Sequence, residues 1–311
     1  MRTLLLAALM TACVPVYSLR PPLEPADIWA PMPYQYVEVD GVRLAYVDTG
    51  GEKPVLLLVH GLSSYLSFWE AQVDALSEDY RVIAVDLPGY GASDRPDAPY
   101  TPPWFAEVLV GFLDALGVER VHFAGHSMGG QVGLFLALDH PEHLRSLVLV
   151  APAGFERFRS GHARWMKDYW HEKRTLDARE EQVRANFTVL VFNRRSESVE
   201  RWIEERVRMT HTDPFRGTSL AVSRSIAGMV DHPTVDRLEE VEVPVLIVFG
   251  SDDHMIPNPI FTGGRTRSVA KYGAERLPNA TLVLIPGAGH GVQHDAPEAF
   301  NEAVRSFLAA R

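Results

Sequence analysis

Cysteine is almost absent from this sequence: its 311 residues include one, Cys13. A single thiol cannot form a disulfide within the chain, so we expect the fold to depend on a packed apolar core. The histidines and acidic residues show no spacing typical of a metal site, and we predict neither a metal nor a cofactor. Basic residues are outnumbered, giving a net charge of −10, which argues against nucleic-acid binding and against general adhesion to acidic lipids.

Internal repeats and low-complexity tracts are lacking too, and the apolar run Leu4 to Met10 is too short for a stable membrane span. Arg2 precedes this run and Thr11-Ala12-Cys13 follows it, which is the form of a secretory signal and resembles a bacterial lipoprotein signal. The resemblance implies a lipid anchor on Cys13 as the chain's only contact with a membrane. The predicted location is then the cell envelope, at the periplasmic face or the outer membrane. A plain signal peptide with secretion, or a misassigned start codon, is the alternative.

Composition divides the chain into five parts. Residues 1–12 are the predicted signal peptide, and the proline-rich residues 13–33 are predicted to be an extended linker. Residues 34–153 and 241–311 alternate strand-like and helix-like segments, whereas residues 154–240 do not. With 46% hydrophobic residues, the chain can bury the core of one large domain or two.

Short apolar runs in the two alternating parts predict β-strands, and segments of helical period lie between most of them. Asp40-Gly41 predicts a tight hairpin between the first two strands, and Thr101 with Pro102 predicts the start of a helix. The predicted strands cover 34–39, 42–48, 55–59, 81–85, 121–124, 145–150, 243–249 and 281–285. This alternation indicates an α/β fold with a mostly parallel sheet flanked by helices.

Residues 154–240 interrupt the alternation after the sixth strand and read as a helical insertion rich in aromatic residues. An insertion at this place usually covers the carboxyl edge of the sheet, so we predict a cap over the site. A decorative helical pack or an oligomer face is the alternative. Trp165, Tyr169, Trp170 and Phe187 are candidate pocket-lining residues, with packing of the cap onto itself as the other interpretation.

The sequence Gly125-His126-Ser127-Met128-Gly129 follows a predicted buried strand and precedes an apolar helical segment. This is the G-x-S-x-G pattern in the strand–turn–helix context in which the serine is a nucleophile. Glycines on both sides of Ser127 allow the strand and the helix to pack closely around a strained turn. An incidental serine in a glycine-rich turn is the alternative.

A nucleophilic serine needs a base and a carboxylate that orients it, expected where later strands end. The loop 250–257 after the seventh strand contains Asp252 and Asp253, and the loop after the eighth strand contains His290, with His294 one helical turn further on. A Gly-x-Gly-His turn at a strand end favours His290 over His294. Both loops are expected at the sheet edge that carries Ser127.

Taken together, these segments resemble the α/β-hydrolase superfamily, in its serine-nucleophile, cap-containing, esterase-like branch, from about Tyr34 to the C-terminus. The matching segments are His60-Gly61, Asp86 to Ser93, Gly125 to Gly129, Gly250 to Pro257 and Gly289-His290. The resemblance implies Ser127 as nucleophile, His290 as base and Asp253 as acid, with Asp252 as a possible replacement for Asp253. It also implies an oxyanion hole formed by the backbone amides of Leu62 and Met128. His60 and His126 are expected to bond backbone groups beneath the site.

The residue types narrow the reaction that this resemblance implies. Relatives that act on haloalkanes and epoxides have aspartate at the position of Ser127, and carbon–carbon bond hydrolases usually have tryptophan at the position of Gly291. We therefore predict a serine hydrolase acting on a small carboxylic ester or related acyl substrate. A carbon–carbon bond hydrolase, a lactonase or a proline-releasing aminopeptidase with the same triad is the alternative. A non-catalytic, lipid-anchored binding protein is a further one.

Overall fold

The computed structural model describes residues 16–310. The predicted signal peptide and its Cys13 lie outside the described residues. Between residues 16 and 310 no helix is both long enough and apolar enough to cross a bilayer.

Within the described residues, eight strands form one sheet, in the order β1-β2-β4-β3-β5-β6-β7-β8. The pairs β1–β2 and β2–β4 are antiparallel, and the remaining pairs are parallel, so the predicted α/β fold with a mostly parallel sheet is confirmed. The strands are β1 (Gln35–Val39), β2 (Val42–Asp48), β3 (Val55–Val59), β4 (Arg81–Val85), β5 (Val121–His126), β6 (Leu144–Val150), β7 (Val245–Gly250) and β8 (Ala280–Ile285).

Helices cover both faces of this sheet. The sheet-flanking helices are α1 (Glu70–Leu76), α2 (Pro102–Ala115), α3 (Met128–Asp139), α9 (Thr266–Arg276), α10 (Val292–Asp295) and α11 (Pro297–Leu308). Short 3₁₀ segments are found at Tyr17–Leu19, Pro25–Asp27, Leu66–Trp69, Pro141–His143 and Leu238–Glu240. Helix α2 begins as predicted, because the side chain of Thr101 accepts a hydrogen bond from the Trp104 amide and Pro102 takes the first helical position.

The core lies in two layers because neighbouring strand residues point to opposite faces. Leu57 and Phe123 pack with Phe105 and Phe112 on the face that carries α2 and α3. Leu56 and its neighbours pack on the other face, with Trp69, Phe300 and Val304. Both faces are therefore buried, which agrees with the continuously apolar strand sequences.

Residues 154–240, here called the cap, lie between β6 and β7. They contain α4 (Ser160–Tyr169), α5 (Glu172–Leu176), α6 (Glu180–Ala185), a π-helical segment (Asn186–Val191), α7 (Glu197–Met209) and α8 (Phe215–Asp231). Helix α7 packs on the segment that follows β3: the Trp202 ring stacks on Phe68 at 4.3 Å, and its Nε1 donates to the Ser67 hydroxyl over 3.1 Å. The cap thus contacts the chain just beyond the carboxyl end of a central strand.

Residues 16–29, expected to belong to an extended linker, instead pack against the cap, and we call them the strap. Tyr17, Leu23 and Ile28 are buried in one apolar cluster with cap residues such as Trp202. The amides of Tyr17 and Ser18 donate to the Glu180 carboxylate over 3.1 and 2.9 Å. Proline-rich composition predicted an extended chain, but Tyr17, Leu23 and Ile28 give the strap a buried face.

The aromatic candidates for pocket lining pack against other rings, both inside and outside the cap. Phe187 is buried against Phe192 of the cap and against Phe68 of the segment after β3, with ring centroids 6.0 Å apart in each case. Trp165 stacks on Tyr169 at 4.5 Å, lies 5.2 Å from Phe261 outside the cap, and remains 43% exposed. The contacts within the cap correspond to the alternative in which the cap packs onto itself.

Candidate active site

Ser127 lies in the turn between β5 and α3, with φ of 53° and ψ of −114°. A non-glycine residue in the left-handed region costs about 1–3 kcal/mol and persists only where its surroundings impose it. Here the Ser127 amide donates to the Val150 carbonyl over 2.9 Å, and its own carbonyl accepts from Gly130 and Ala153. The strained turn is therefore fixed on both sides, and the side chain is half-buried at the carboxyl edge of the sheet.

The two glycines of the motif have no room for a side chain. A Cβ atom at Gly125 would lie 2.2 Å from the Gly129 carbonyl oxygen, and one at Gly129 would lie 2.5 Å from the Val59 carbonyl oxygen. Helix α3 thereby lies so close to the ends of β3 and β5 that its backbone contacts theirs. This close approach explains why the strand–turn–helix sequence requires both glycines.

The loops after β7 and β8 are joined by backbone contacts. The Asp252 amide donates to the Ala288 carbonyl over 3.0 Å. A Cβ atom at Gly250 would lie 2.2 Å from that same carbonyl oxygen, so only glycine permits the loops to meet this closely. This contact brings Asp253 and His290, which are 37 positions apart, to one place.

Asp253 and His290 form a buried hydrogen-bonded pair. His290 Nδ1 lies 2.9 Å from Asp253 Oδ2, and the side chains are 3% and 0% exposed. Asp253 Oδ1 accepts the amides of Met255 and Ile256 over 2.7 and 2.9 Å. Burial raises the pKa of the Asp253 carboxyl, but the attraction and hydrogen bond of His290 and the two amides outweigh it, so the net pKa lies below its usual value. The carboxylate is held ionised, with one oxygen committed to His290.

The two rival residues lie elsewhere. The Asp252 carboxylate accepts from the neighbouring Ser251 hydroxyl over 3.0 Å. His294 faces the cap, where its Nε2 lies 2.9 Å from the Ser196 hydroxyl and its ring packs on Phe192 and Trp202. The structure therefore places Asp253, and neither of these residues, against the imidazole of His290.

His126 connects the Ser127 turn to His290. Its ring centroid lies 4.8 Å from that of His290, and its Nε2 donates to the His290 backbone carbonyl over 3.0 Å. Among the described residues there is no hydrogen bond between the Ser127 hydroxyl and the His290 ring. Such bonds are often loose without substrate and tighten in the reacting complex.

The two histidines predicted to bond backbone groups do so and are neutral. The Leu87 amide donates to His60 Nε2 over 3.1 Å, so Nδ1 carries the proton and donates to the Gly61 carbonyl over 2.7 Å. Burial lowers the pKa of His60 to about 4, and burial together with nearby His290 lowers the pKa of His126 to about 3. Neither imidazole is charged at neutral pH.

The amides of Leu62 and Met128 are free for a ligand. Neither donates a backbone hydrogen bond within residues 16–310. A Cβ atom at Gly61 would lie 3.1 Å from the Ser127 Cβ, so the loop after β3 passes directly beside the nucleophile turn. Met128 is the first residue of α3, where the helix dipole also favours a negative charge.

Three buried charged residues around this loop were not identified as functional candidates from the sequence. Asp86 accepts the amides of Leu66 and Ala92 over 2.7 and 2.8 Å, and burial raises the pKa of its carboxyl to about 7. Glu205 and Arg206, on α7, are each 5% exposed. Asp86 had a sequence signal in the Asp-Leu-Pro-Gly motif, whereas Glu205 and Arg206 look like any charged residues on a polar helix.

No group of three or more metal-ligating side chains occurs between residues 16 and 310.

Comparison with known proteins places this arrangement in context. A family model described as the alpha/beta hydrolase fold matches residues 54–297. A putative carbamate hydrolase RutD from Caulobacter sp. (strain K31) is 32% identical, with 87% of this chain and 97% of the relative covered. A 2-hydroxy-6-oxononadienedioate/2-hydroxy-6-oxononatrienedioate hydrolase from Paraburkholderia phymatum is 31% identical, covering 86% and 91%. The crystal structure of a probable hydrolytic enzyme from Pseudomonas aeruginosa PAO1 superimposes with a TM-score of 0.80 at 29% identity, covering 88% and 93%.

Proposed function

The chain belongs to the α/β-hydrolase fold family and is a hydrolase, and from this premise we propose that it cleaves carboxylic esters by acyl transfer. Ser127 is the nucleophile, His290 the general base and Asp253 the residue that orients the base. The observation that carries the proposal is the buried 2.9 Å hydrogen bond between His290 Nδ1 and Asp253, beside the turn that contains Ser127. That bond leaves Nε2 of His290 as the nitrogen that can accept a proton.

The reaction proceeds in two balanced steps. In the first, Ser127 Oγ attacks the ester carbonyl carbon while its proton moves to His290 Nε2, and the amides of Leu62 and Met128 bind the resulting oxyanion. The carbon–oxygen bond to the alcohol then breaks, and the departing oxygen takes the proton from His290. In the second step a water molecule gives a proton to His290 and attacks the acyl carbon. The bond from that carbon to Ser127 Oγ then breaks, Oγ takes the proton back from His290, and the carboxylic acid leaves. Asp253 remains ionised throughout and stabilises the imidazolium.

The contact between the cap and Gly291 favours an ester substrate over a carbon–carbon bond substrate. A Cβ atom at Gly291 would lie 2.3 Å from the Phe192 ring, and the Gly291 amide donates to the Val191 carbonyl over 2.8 Å. The tryptophan usual at this place in carbon–carbon bond hydrolases therefore has no room here. The carbamate named for one relative is also an acyl compound, which the same serine chemistry could cleave.

A covalent probe and a substrate panel test the proposal. A fluorophosphonate is expected to label Ser127 stoichiometrically in the folded protein, and a 4-nitrophenyl ester is expected to acylate the same peptide. Ser127→Ala should lose both, with kcat lower by about 10⁴-fold or more. His294→Ala, a histidine outside the pair, is the matched control and should keep the labelling. Absence of labelling in a folded wild-type chain would support a binding protein instead.

The panel then distinguishes the reaction types. It compares 4-nitrophenyl acetate with a 4-nitrophenyl carbamate, a lactone, a 2-hydroxy-6-oxo-dienoate and a proline 4-nitroanilide. We expect kcat/KM to be highest for the ester. A higher value for any other compound, with Ser127 still labelled, would keep the triad and replace the substrate class.

We also propose that residues 1–12 are removed and that Cys13 carries the lipid anchor, holding the enzyme at the cell envelope. Support comes from the apolar run Leu4 to Met10 followed by Thr11-Ala12-Cys13. Growth with an alkyne-labelled fatty acid should label the wild-type chain in bacterial membranes, and Cys13→Ala should remove the label. A labelled Cys13→Ala chain, or an unlabelled wild type, would contradict the anchor.

A further inference from the structure

Arg206 is a buried arginine without an acidic partner. It lies on α7 in the cap, is 5% exposed, and forms no ion pair with a carboxylate within residues 16–310. Its guanidinium donates instead to two atoms of one residue: the Ser63 hydroxyl, over 2.9 Å, and the Ser63 backbone carbonyl. A buried charge without a carboxylate partner is costly, and its compensation comes from these two hydrogen bonds and from the Phe215 ring, whose centroid lies 5.9 Å from the guanidinium carbon.

The residue that Arg206 binds is strained and adjoins the oxyanion loop. Ser63 has φ of 58°, in the left-handed region that disfavours a non-glycine residue. It directly follows Leu62, whose amide is free. Arg206 binds both the hydroxyl and the carbonyl of Ser63. It therefore restricts rotation about the backbone bonds of Ser63, the residue that follows Leu62.

Tyr65, two residues after Ser63, is bound by Glu205, the residue before Arg206 on α7. The Tyr65 hydroxyl donates to the Glu205 carboxylate over 2.6 Å, and the other oxygen of Glu205 accepts the Trp29 amide of the strap over 3.0 Å. Two consecutive residues of α7 therefore hold two positions of the segment 63–65. Within the chain described, the loop is fixed from the cap side as well as from the sheet.

Other polar groups of this loop are bonded within the loop or to the sheet side. The Gly61 carbonyl accepts from His60 Nδ1 over 2.7 Å and from the Ser64 hydroxyl over 2.9 Å. The Leu66 amide donates to Asp86 over 2.7 Å. The Leu62 amide makes no such bond in the described residues and can therefore bind a substrate oxygen, and its direction depends on the residues on either side of it.

We propose that Arg206 is a positioning residue for the oxyanion hole, which fixes the Leu62 amide by binding Ser63 from the cap. This inference rests on the proposed function and deepens it: the hole is complete only when the cap is docked. Lysine cannot replace arginine here, because one ammonium group cannot bind the hydroxyl and the carbonyl with the same planar geometry.

The test compares Arg206→Lys with Arg208→Lys, a change two positions along the same helix. Arg208 donates to Glu204 over 3.0 Å and to the Pro21 carbonyl over 2.9 Å, away from the loop. Active sites are counted by the end point of fluorophosphonate labelling, so that misfolded protein does not enter kcat. We expect kcat per labelled site to fall 10- to 100-fold in Arg206→Lys with KM changed less than threefold, and Arg208→Lys to match the wild type.

A transition-state analogue separates positioning from a general loosening of the cap. The affinity of a trifluoromethyl ketone, which forms an oxyanion on Ser127, should fall by the same factor as kcat/KM, while a neutral product alcohol should bind as before. In a double-mutant cycle, Ser63→Gly removes the hydroxyl that Arg206 binds and should lower kcat. Arg206→Lys should then cost less on that background than in the wild type, because only the backbone carbonyl contact remains to be lost.

Two outcomes would overturn the inference without touching the proposed function. One is an unchanged kcat and analogue affinity in Arg206→Lys while Ser127 is labelled normally. The other is additive losses in the double-mutant cycle, which would show that Arg206 acts independently of Ser63. A wild-type chain that is not labelled would instead remove the proposed function itself.

Discussion

The Nε2 of His126 donates to the backbone carbonyl of His290 across 3.0 Å, so the residue before the candidate nucleophile is bonded to the residue that carries the candidate base. The bond crosses from β5 to the loop after β8. It fixes the distance between two segments that are far apart in the chain and that the proposed mechanism requires to act together.

Removing this donor should destabilise the fold. His126→Leu leaves the His290 carbonyl buried without a partner, which we expect to cost about 1–3 kcal/mol of unfolding free energy. His126→Gln retains an N–H donor and is the matched control, with a smaller loss. Urea denaturation followed by circular dichroism measures both, and equal losses in the two variants would argue that the hydrogen bond contributes nothing.

The same histidine should make stability depend on pH. Because burial lowers the pKa of His126 to about 3, the unfolded chain binds a proton between about pH 3 and 6.5 that the folded chain does not. The contribution of His126 to stability therefore falls as pH decreases from 6.5, by at most about 1.4 kcal/mol per pH unit. The wild-type curve should be steeper than that of His126→Gln below pH 6.5 and parallel to it above pH 7. Parallel curves at all pH values would mean that His126 is not held neutral.

The neighbouring residues Asp252 and Asp253 allow a matched test of which aspartate is the acid of the proposed triad. Asp253→Asn should lower kcat by about 10⁴-fold, because the amide no longer stabilises the imidazolium or fixes its tautomer. Asp252→Asn, one position away, changes a carboxylate that is bonded to the Ser251 hydroxyl, and it should keep kcat within about threefold of the wild type. Steady-state kinetics with a 4-nitrophenyl ester measures both. A large loss of kcat in Asp252→Asn alone would show that Asp252, and not Asp253, is the acid.

The close approach at Gly129 predicts intolerance of any side chain. Gly129→Ala places a Cβ atom 2.5 Å from a backbone carbonyl of β3, and we expect about 3 kcal/mol of destabilisation or failure to fold. Gly161→Ala is the control: its Cβ atom has no neighbour within 4 Å and its helix α4 should gain about 0.5–1 kcal/mol. Thermal unfolding compares the two, and a stable Gly129→Ala chain would contradict the backbone packing described.

The strap should stabilise the cap through its buried side chains. Ile28 is 3% exposed, and Ile28→Ala is expected to cost about 2–4 kcal/mol. Leu19 belongs to the same segment but is 84% exposed, so Leu19→Ala should change stability by less than about 0.5 kcal/mol. Limited proteolysis within residues 154–240 gives a local readout beside global unfolding. Equal protection in both variants would mean that the strap does not support the cap.

The strand pattern could be predicted from sequence because the central strands β3 to β7 are largely apolar, are buried on both faces and are bounded by turn residues. Predicted boundaries for β2, β3 and β4 coincide with the structure, and β5 continues to His126, two residues beyond the predicted end. The helical insertion was recognised from the loss of alternation. The helix ends inside it could not be predicted in the same way, since α6 passes directly into a π-helical segment.

Long-range contacts were the part that sequence could not provide. The strap reads as a proline-rich linker, and nothing local shows that Tyr17 and Ile28 pack against α7. Arg206 looks like other arginines of an amphipathic helix, and its burial depends on how the cap docks on the loop after β3. Residues in local motifs could be predicted, whereas residues that matter through another segment could not.

The contact between Gly291 and Phe192 has a consequence for how this protein could change through evolution or engineering. A Cβ atom at position 291 would lie 2.3 Å from the ring at position 192, so the two positions cannot both carry bulky groups. We expect them to covary among relatives, with a larger residue at one accompanied by a smaller residue at the other. Exchange of the histidine loop alone from a tryptophan-bearing relative would then fail, and transplantation would need both segments together.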